Sequence, residues 1–162
     1  MSEKATQEQL ILEWWMRVPY KWAAGAYVGK WLEELRDNGK IYANKCPNCG
    51  RFFTPARPVC GRCHVRMEEW GKWVEVGPKG TVLSCNVVEQ SFWYPTKGEM
   101  LRVPFTVGII QLDGAPTAIT HYLEETSSEK LHIGMRVEAV LKPKEQRQGN
   151  IFDIIHFRTI KE

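Results

Sequence analysis

Residues 46–63 read CPNCGRFFTPARPVCGRC and contain four of the five cysteines of this 162-residue chain. The cysteines form two Cys-x2-Cys pairs, with ten residues between the pairs. Each pair can wrap a knuckle whose sulfurs and backbone N–H groups converge on one ion, and Gly50 lets the chain turn at a positive φ. The pattern therefore predicts a zinc ribbon with one structural Zn²⁺. Its predicted ligands are Cys46, Cys49, Cys60 and Cys63.

Other chemistry for these cysteines is less consistent with the sequence. Two disulfides would need an oxidising compartment, yet the polar N-terminus MSEKATQEQ lacks the basic-then-apolar order of a secretory signal. A thioredoxin-like redox site needs one Cys-x2-Cys beside a βαβ unit, not two pairs. Iron in the same site stays open, since tetrahedral sulfur ligation does not distinguish it from zinc. Because all four ligands are protein sulfurs, we expect the metal to stabilise the fold and to take no part in catalysis.

The sequence that follows the cysteines changes to period-two alternation with many β-branched residues, which indicates strands. Five strands are predicted, at residues 80–88, 104–112, 116–122, 135–141 and 150–158. Asp113-Gly114 predicts a short hairpin turn between the second and third strands. Five strands with these gaps are typical of a small closed barrel of the OB type. The predicted fold class is therefore mainly β with N-terminal helices: a zinc ribbon followed by a five-stranded OB-fold barrel.

The first 40 residues are predicted to be helical. Thr6 and Gln9 form a capping-box pattern, Pro19 separates two apolar helical repeats, and Asn38-Gly39 ends the second. The predicted organisation is a helical arm at 1–40, a ribbon at 41–73 and an OB-fold domain at 74–162. Four of the seven tryptophans lie in the arm, namely Trp14, Trp15, Trp22 and Trp31. Two interpretations stay open: the arm folds back on its own domain, or its tryptophans bind a partner protein.

Composition and charge narrow the function classes. The hydrophobic and charged fractions of 43% and 25% are those of a soluble globular protein, and no apolar run reaches the ~18 residues of a membrane span. We therefore expect a cytoplasmic protein without a membrane partner. A zinc tetrathiolate carries a charge of −2, which lowers the formal net charge from +3 to about +1. This near-neutral total argues against broad nucleic-acid binding, which depends on phosphate contacts.

The sequence shows no catalytic constellation. The histidines His64, His121, His132 and His156 have no mutual spacing typical of an active site, and no Gly-rich phosphate loop is present. We therefore assign no catalytic residues and predict a binding protein rather than an enzyme. The candidate ligand-binding residues are Phe92, Trp93, Tyr94, Lys97 and Arg102. Aromatic and basic groups suit base stacking and phosphate pairing, so a nucleotide-containing cofactor and single-stranded nucleic acid are both candidates, unless the aromatic side chains only close one end of the barrel.

The order of these parts resembles the domain-of-unknown-function 35 family. The resemblance is carried by the tryptophan-rich arm, CPNCG with CGRCH, Gly80-Thr-Val, Phe105-x-x-Gly108, Leu112-Asp-Gly114 and Ile133-Gly-Met-Arg-Val137. It implies a rubredoxin-like zinc ribbon with an OB-fold domain, and the same four cysteines as metal ligands. It also implies an accessory scaffold of acyl-CoA and lipid metabolism that binds acyl-CoA and a thiolase or a 3-hydroxy-3-methylglutaryl-CoA synthase-like enzyme. A single-stranded nucleic-acid-binding module remains the alternative.

Overall fold

The fold was analysed in a computed structural model that describes residues 23–94 and 98–160. The first predicted helix lies outside the described residues, as do Trp14, Trp15, Trp22 and Lys97. One helix, α1 (Gly25–Asn38), precedes the strands. The strands are β1 (Ile41–Lys45), β2 (Phe52–Phe53), β3 (Val74–Val76), β4 (Lys79–Val88), β5 (Trp93–Tyr94), β6 (Glu99–Met100), β7 (Phe105–Leu112), β8 (Ala118–Leu123), β9 (Arg136–Leu141) and β10 (Ile154–Thr159). Two 3-10 turns, Lys144–Gln146 and Ile151–Asp153, connect β9 to β10.

Five strands close a barrel in the order β10-β8-β7-β4-β9. All pairs are antiparallel except β8 with β10, which are parallel. The alternating residues of β7 place Thr106, Gly108 and Ile110 inside the barrel. The predicted five-stranded barrel is therefore confirmed.

Two local predictions about the barrel strands need correction. The connection between β7 and β8 spans residues 113–117 and is longer than a two-residue hairpin, with Gly114 at φ 87°. The fifth strand begins at Ile154 rather than at residue 150, because the buried carboxylate of Asp153 accepts hydrogen bonds from the backbone N–H groups of residues 148–150. These bonds hold the preceding residues in a turn.

The ribbon strands form a separate antiparallel sheet in the order β2-β1-β3. Helix α1 packs on β1 and ends where the sequence predicts, because Gly39 adopts φ 65° and its N–H donates to Leu35 O. The helix, this sheet and the barrel share one hydrophobic core. Its members include Trp31, Leu35, Ile41, Ala43, Val76, Val82, Leu112 and Phe157.

Trp31 lies in this shared core and not on an exposed arm. Its side chain is 1% exposed, and its Nε1 donates to the carbonyl oxygen of Tyr42 at 2.8 Å. The buried indole of Trp31 therefore offers no free surface to a partner in this conformation of the chain. No helix among the described residues is long and apolar enough to cross a membrane.

Candidate metal centre and ligand groove

The four cysteines of the two pairs converge in the ribbon. Their Sγ atoms all lie within 4.8 Å of one another, and Cys49 Sγ and Cys60 Sγ are 3.8 Å apart. None of these cysteines is in a disulfide, whose sulfurs would be about 2 Å apart. A tetrahedral ion with metal–sulfur bonds of about 2.3 Å places its sulfurs roughly 3.8 Å from each other. The cluster therefore has the spacing of an S₄ metal site.

Each pair is shaped by the same backbone turn. The N–H of Gly50 donates to Cys46 O at 2.9 Å, and the N–H of His64 donates to Cys60 O at 3.0 Å. Gly50 has φ 70°, as predicted, and His64 adopts φ 56° at the equivalent position of the second knuckle. Few residues other than glycine accept this left-handed conformation. His64 thus contributes to the site through its backbone.

The thiols of the cluster influence one another's ionisation. Burial disfavours the Cys60 thiolate, but the backbone N–H groups of Cys63 and Arg62 outweigh burial and lower the pKa of this thiol to about 6. The neighbouring Cys49 thiol raises the pKa of Cys63 to about 11. Without a cation the four thiols therefore do not ionise together. Binding of a metal ion must displace the remaining protons.

The second candidate site is a groove on the outer surface of the barrel. Two adjoining cavities of ≈ 650 and ≈ 400 Å³ share Leu101, Phe105 and Tyr122. We call their union the aromatic groove. Besides the shared residues, its walls include Phe92, Tyr94, Val107, Phe152, Ile155, Lys142, Gln148, Asn150, Glu99 and Arg102.

Three rings form the floor of the aromatic groove. Phe105 on β7 and Tyr122 on β8 are outward-facing residues, and their ring centroids are 5.7 Å apart in an edge contact. Phe152 stacks on Tyr122 with a centroid distance of 6.5 Å and an interplanar angle of 21°. Phe152 is half exposed. The arrangement leaves aromatic surface available to a flat or apolar ligand group.

The structure brings together only part of the predicted ligand surface. Phe92, Tyr94 and Arg102 line the aromatic groove. Trp93 lines neither cavity, although it is 54% exposed, because side chains alternate along the short hairpin of β5 and β6. The expectation that Trp93 lies beside its neighbours in one ligand site is therefore corrected. Lys97 lies outside the described residues.

Phe105, Tyr122, Phe152 and Lys142 line the groove but are not among the ligand residues predicted from the sequence. For Phe105 and Tyr122 a signal was present, since each is an aromatic residue at an outward position of a predicted strand. Phe152 and Lys142 reach the groove only through the connection between β9 and β10. No local sequence pattern predicts the path of that connection.

His121 supports the groove from behind. It is 6% exposed, its Nδ1 accepts the N–H of Tyr122 at 2.9 Å, and its Nε2 is 3.2 Å from the carbonyl oxygen of Ile151. Nε2 must therefore carry the proton and donate it, which leaves the ring neutral. Burial lowers the pKa of His121.

We expect acid to destabilise the barrel through His121. Its pKa is lower in the folded than in the unfolded chain, where it is about 6.5, so the unfolded chain takes up the proton first. This contribution to the free energy of unfolding is complete above about pH 6.5 and is lost as the pH falls below it, with a slope of at most ~1.4 kcal/mol per pH unit. Urea unfolding of the native chain and of His121→Gln between about pH 5 and 8 measures it. If the free energies of unfolding of the two proteins change with pH in the same way, His121 does not cause the loss of stability in acid.

The ribbon with its four-sulfur site and the barrel with its groove define a zinc-ribbon and OB-fold protein. The protein-family model described as "ChsH2, rubredoxin-like zinc ribbon domain" matches residues 34–68. The model described as "ChsH2, C-terminal OB-fold domain" matches residues 73–142, so the two together match nearly two thirds of the chain. The chain therefore belongs to the family that has these two domains, and relatives in it carry the name DUF35.

Two archaeal relatives are each named DUF35 domain-containing scaffold protein. The protein of Methanocaldococcus jannaschii is 30% identical over 98 residues, which are 60% of this chain and 64% of that protein. The match thus spans less than two thirds of this relative. The protein of Methanothermobacter thermautotrophicus is 27% identical over 104 residues, covering 63% of this chain and 71% of that protein.

Two solved structures are similar in fold. The "Ltp2-ChsH2(DUF35) aldolase" superposes with a TM-score of 0.59 and 20% identity, covering 86% of this chain and 98% of that one. A DUF35 protein of unknown function from Sulfolobus solfataricus superposes with a TM-score of 0.54 and 21% identity, covering 80% and 81%. At these identities the similarity shows the fold alone.

Proposed function

We propose that the chain is a non-catalytic, zinc-containing scaffold that binds acyl-CoA and a thiolase-like enzyme. The observation that carries the proposal is the aromatic groove, where stacked rings lie beside a cationic side chain, Arg102. The names of the archaeal relatives support the scaffold role. Zn²⁺ held by the four sulfurs would fix the ribbon, and metal analysis of the purified protein tests zinc against iron, which would colour it.

The groove suits a CoA thioester chemically. Ligand sites usually occupy roughly 300–1,000 Å³, and the larger cavity of ≈ 650 Å³ lies in that range. The rings can stack on an adenine or pack against a pantetheine arm and an acyl chain, and a guanidinium can pair with a phosphate.

We expect Tyr122→Ala to weaken binding of acetoacetyl-CoA by roughly 5- to 150-fold, because it removes the central ring of the floor and stacking on one aromatic ring is worth ~1–3 kcal/mol. Isothermal titration measures the effect, alone and with a purified thiolase. Trp93→Ala is the matched control, since this exposed ring lies outside the groove, and it should bind as the native chain does. If the native chain binds no acetoacetyl-CoA, either alone or with the thiolase, the proposal is overturned.

The enzyme partner is tested separately. Gel filtration of the chain mixed with a purified thiolase or 3-hydroxy-3-methylglutaryl-CoA synthase shows whether a complex forms. Trp14, Trp15 and Trp22 remain predicted partner contacts, and alanine substitutions of these three residues should weaken that complex. The nucleic-acid alternative is tested by a gel-shift experiment with single-stranded oligonucleotides at low salt. A gel shift that Tyr122→Ala abolishes would favour that alternative.

A further inference from the structure

Lys142 lines the aromatic groove directly after β9. Its backbone is held on both sides: the N–H donates to Asp153 O at 2.9 Å, and the carbonyl accepts from Arg147 Nε at 2.8 Å. The side chain is 29% exposed, and Nζ lies 3.7 Å from Asp153 Oδ1. This separation is an ion-pair distance but is too long for a hydrogen bond. The ammonium group therefore keeps donors for a ligand in the groove.

Asp153 fixes this part of the groove without competing for the ligand. Its carboxylate is fully buried and accepts the backbone N–H groups of Gln148, Gly149 and Asn150 at 2.7–3.2 Å. Burial would favour the neutral acid, but these hydrogen bonds outweigh it and lower the pKa of Asp153. The negative charge is thus satisfied by the loop that carries Phe152, and it is not exposed in the groove. The charge that faces a ligand here is that of Lys142.

We propose that Lys142 binds a phosphate of the CoA moiety, held in position by Asp153. The inference rests on the proposed function and adds a second cationic group to the groove. Arg102 lines the smaller cavity together with the oppositely charged Glu99, whereas Lys142 is the one charged side chain among the described residues that line the larger cavity. A ligand with a phosphate and a long uncharged arm suits a groove with a cationic group beside an apolar floor, which the rings of Phe105, Tyr122 and Phe152 make up.

The test measures affinities of Lys142→Met, Lys142→Arg and Lys144→Met for acetyl-CoA, acetyl-dephospho-CoA and S-acetylpantetheine. Lys144 is the matched control, since it is exposed and does not line the groove. We expect Lys142→Met to bind acetyl-CoA about tenfold more weakly, the effect of losing one charge-assisted hydrogen bond, and Lys142→Arg to restore most of the affinity. Binding of S-acetylpantetheine, which has no nucleotide phosphates, should not change. A loss that persists with acetyl-dephospho-CoA assigns the pyrophosphate, and a loss confined to acetyl-CoA assigns the 3′-phosphate.

The outcomes separate this inference from the proposed function. If the native chain binds acetyl-CoA and Lys142→Met binds it equally well, the role of Lys142 is refuted while the proposed function stands. An equal loss of S-acetylpantetheine binding would also refute it, because the substitution would then have disturbed the groove rather than a phosphate contact. If the native chain binds none of the three compounds, either alone or with a purified thiolase, both proposals fail. Melting curves of each variant establish that the fold is retained.

Discussion

Cys46→Ser is expected to release the metal ion and to unfold the ribbon. The side chain of Cys46 is fully buried in a small cluster with Phe53, Cys60 and Met67. These few side chains bury little apolar surface around the cysteines, and structures with so small a core usually need a metal or disulfides. Structural zinc contributes ~10–16 kcal/mol of apparent binding free energy in small zinc domains at neutral pH. Removing one thiolate should therefore eliminate most of the stability of this region.

The loss should also reach the barrel, because the ribbon strands β1 and β3 contribute Ile41, Ala43 and Val76 to the shared core. We expect a large decrease in melting temperature, together with metal content close to zero, measured by thermal denaturation and elemental analysis. Cys85→Ser is the matched control, since Cys85 is a free cysteine on β4 outside the cluster, and it should keep its metal. A Cys46→Ser protein with one metal per chain and an unchanged melting curve would show that the cluster is not a structural site.

The parts of this protein that the sequence predicts correctly depend on local spacing. Two Cys-x2-Cys pairs must converge when each forms its own knuckle, and Gly50 and Gly39 mark positive φ values that few other residues accept. Period-two alternation likewise specifies which residues of β7 and β8 face inward. The convergence of the cysteines and the barrel can therefore be predicted from the sequence.

The aromatic groove could not be derived in the same way. Phe152 and Lys142 enter it because Asp153 folds the preceding residues into a turn, and that turn depends on a carboxylate buried by tertiary packing. The hydrophobic pattern also does not distinguish a tryptophan that contacts a partner from one that packs in the core of its own chain. Trp31 shows this, since the same helical spacing is compatible with either environment.

Trp31→Ala is expected to destabilise the whole chain, because the indole joins three parts of the fold. It lies on α1, its Nε1 donates to Tyr42 O on β1 at 2.8 Å, and it approaches Thr54 Oγ1 beyond β2 at 3.3 Å. Truncation of a buried tryptophan costs ~3–5 kcal/mol, a large part of the 5–15 kcal/mol typical of a domain. Urea unfolding measures the change. Trp31→Phe should cost less, because it keeps most of the apolar contact and loses the hydrogen bond to the Tyr42 carbonyl.

Trp93→Ala provides the matched control, because this tryptophan is 54% exposed and surface substitutions usually change stability by less than about 0.5 kcal/mol. The comparison also decides between the two roles that the sequence allows for Trp31. Replacing a core residue must lower the free energy of unfolding of the isolated chain. Replacing a partner-binding residue must lower only the affinity for the enzyme. If Trp31→Ala unfolds at the same urea concentration as the native chain and fails to bind a thiolase, the helix moves away from the core in solution and Trp31 is a partner contact after all.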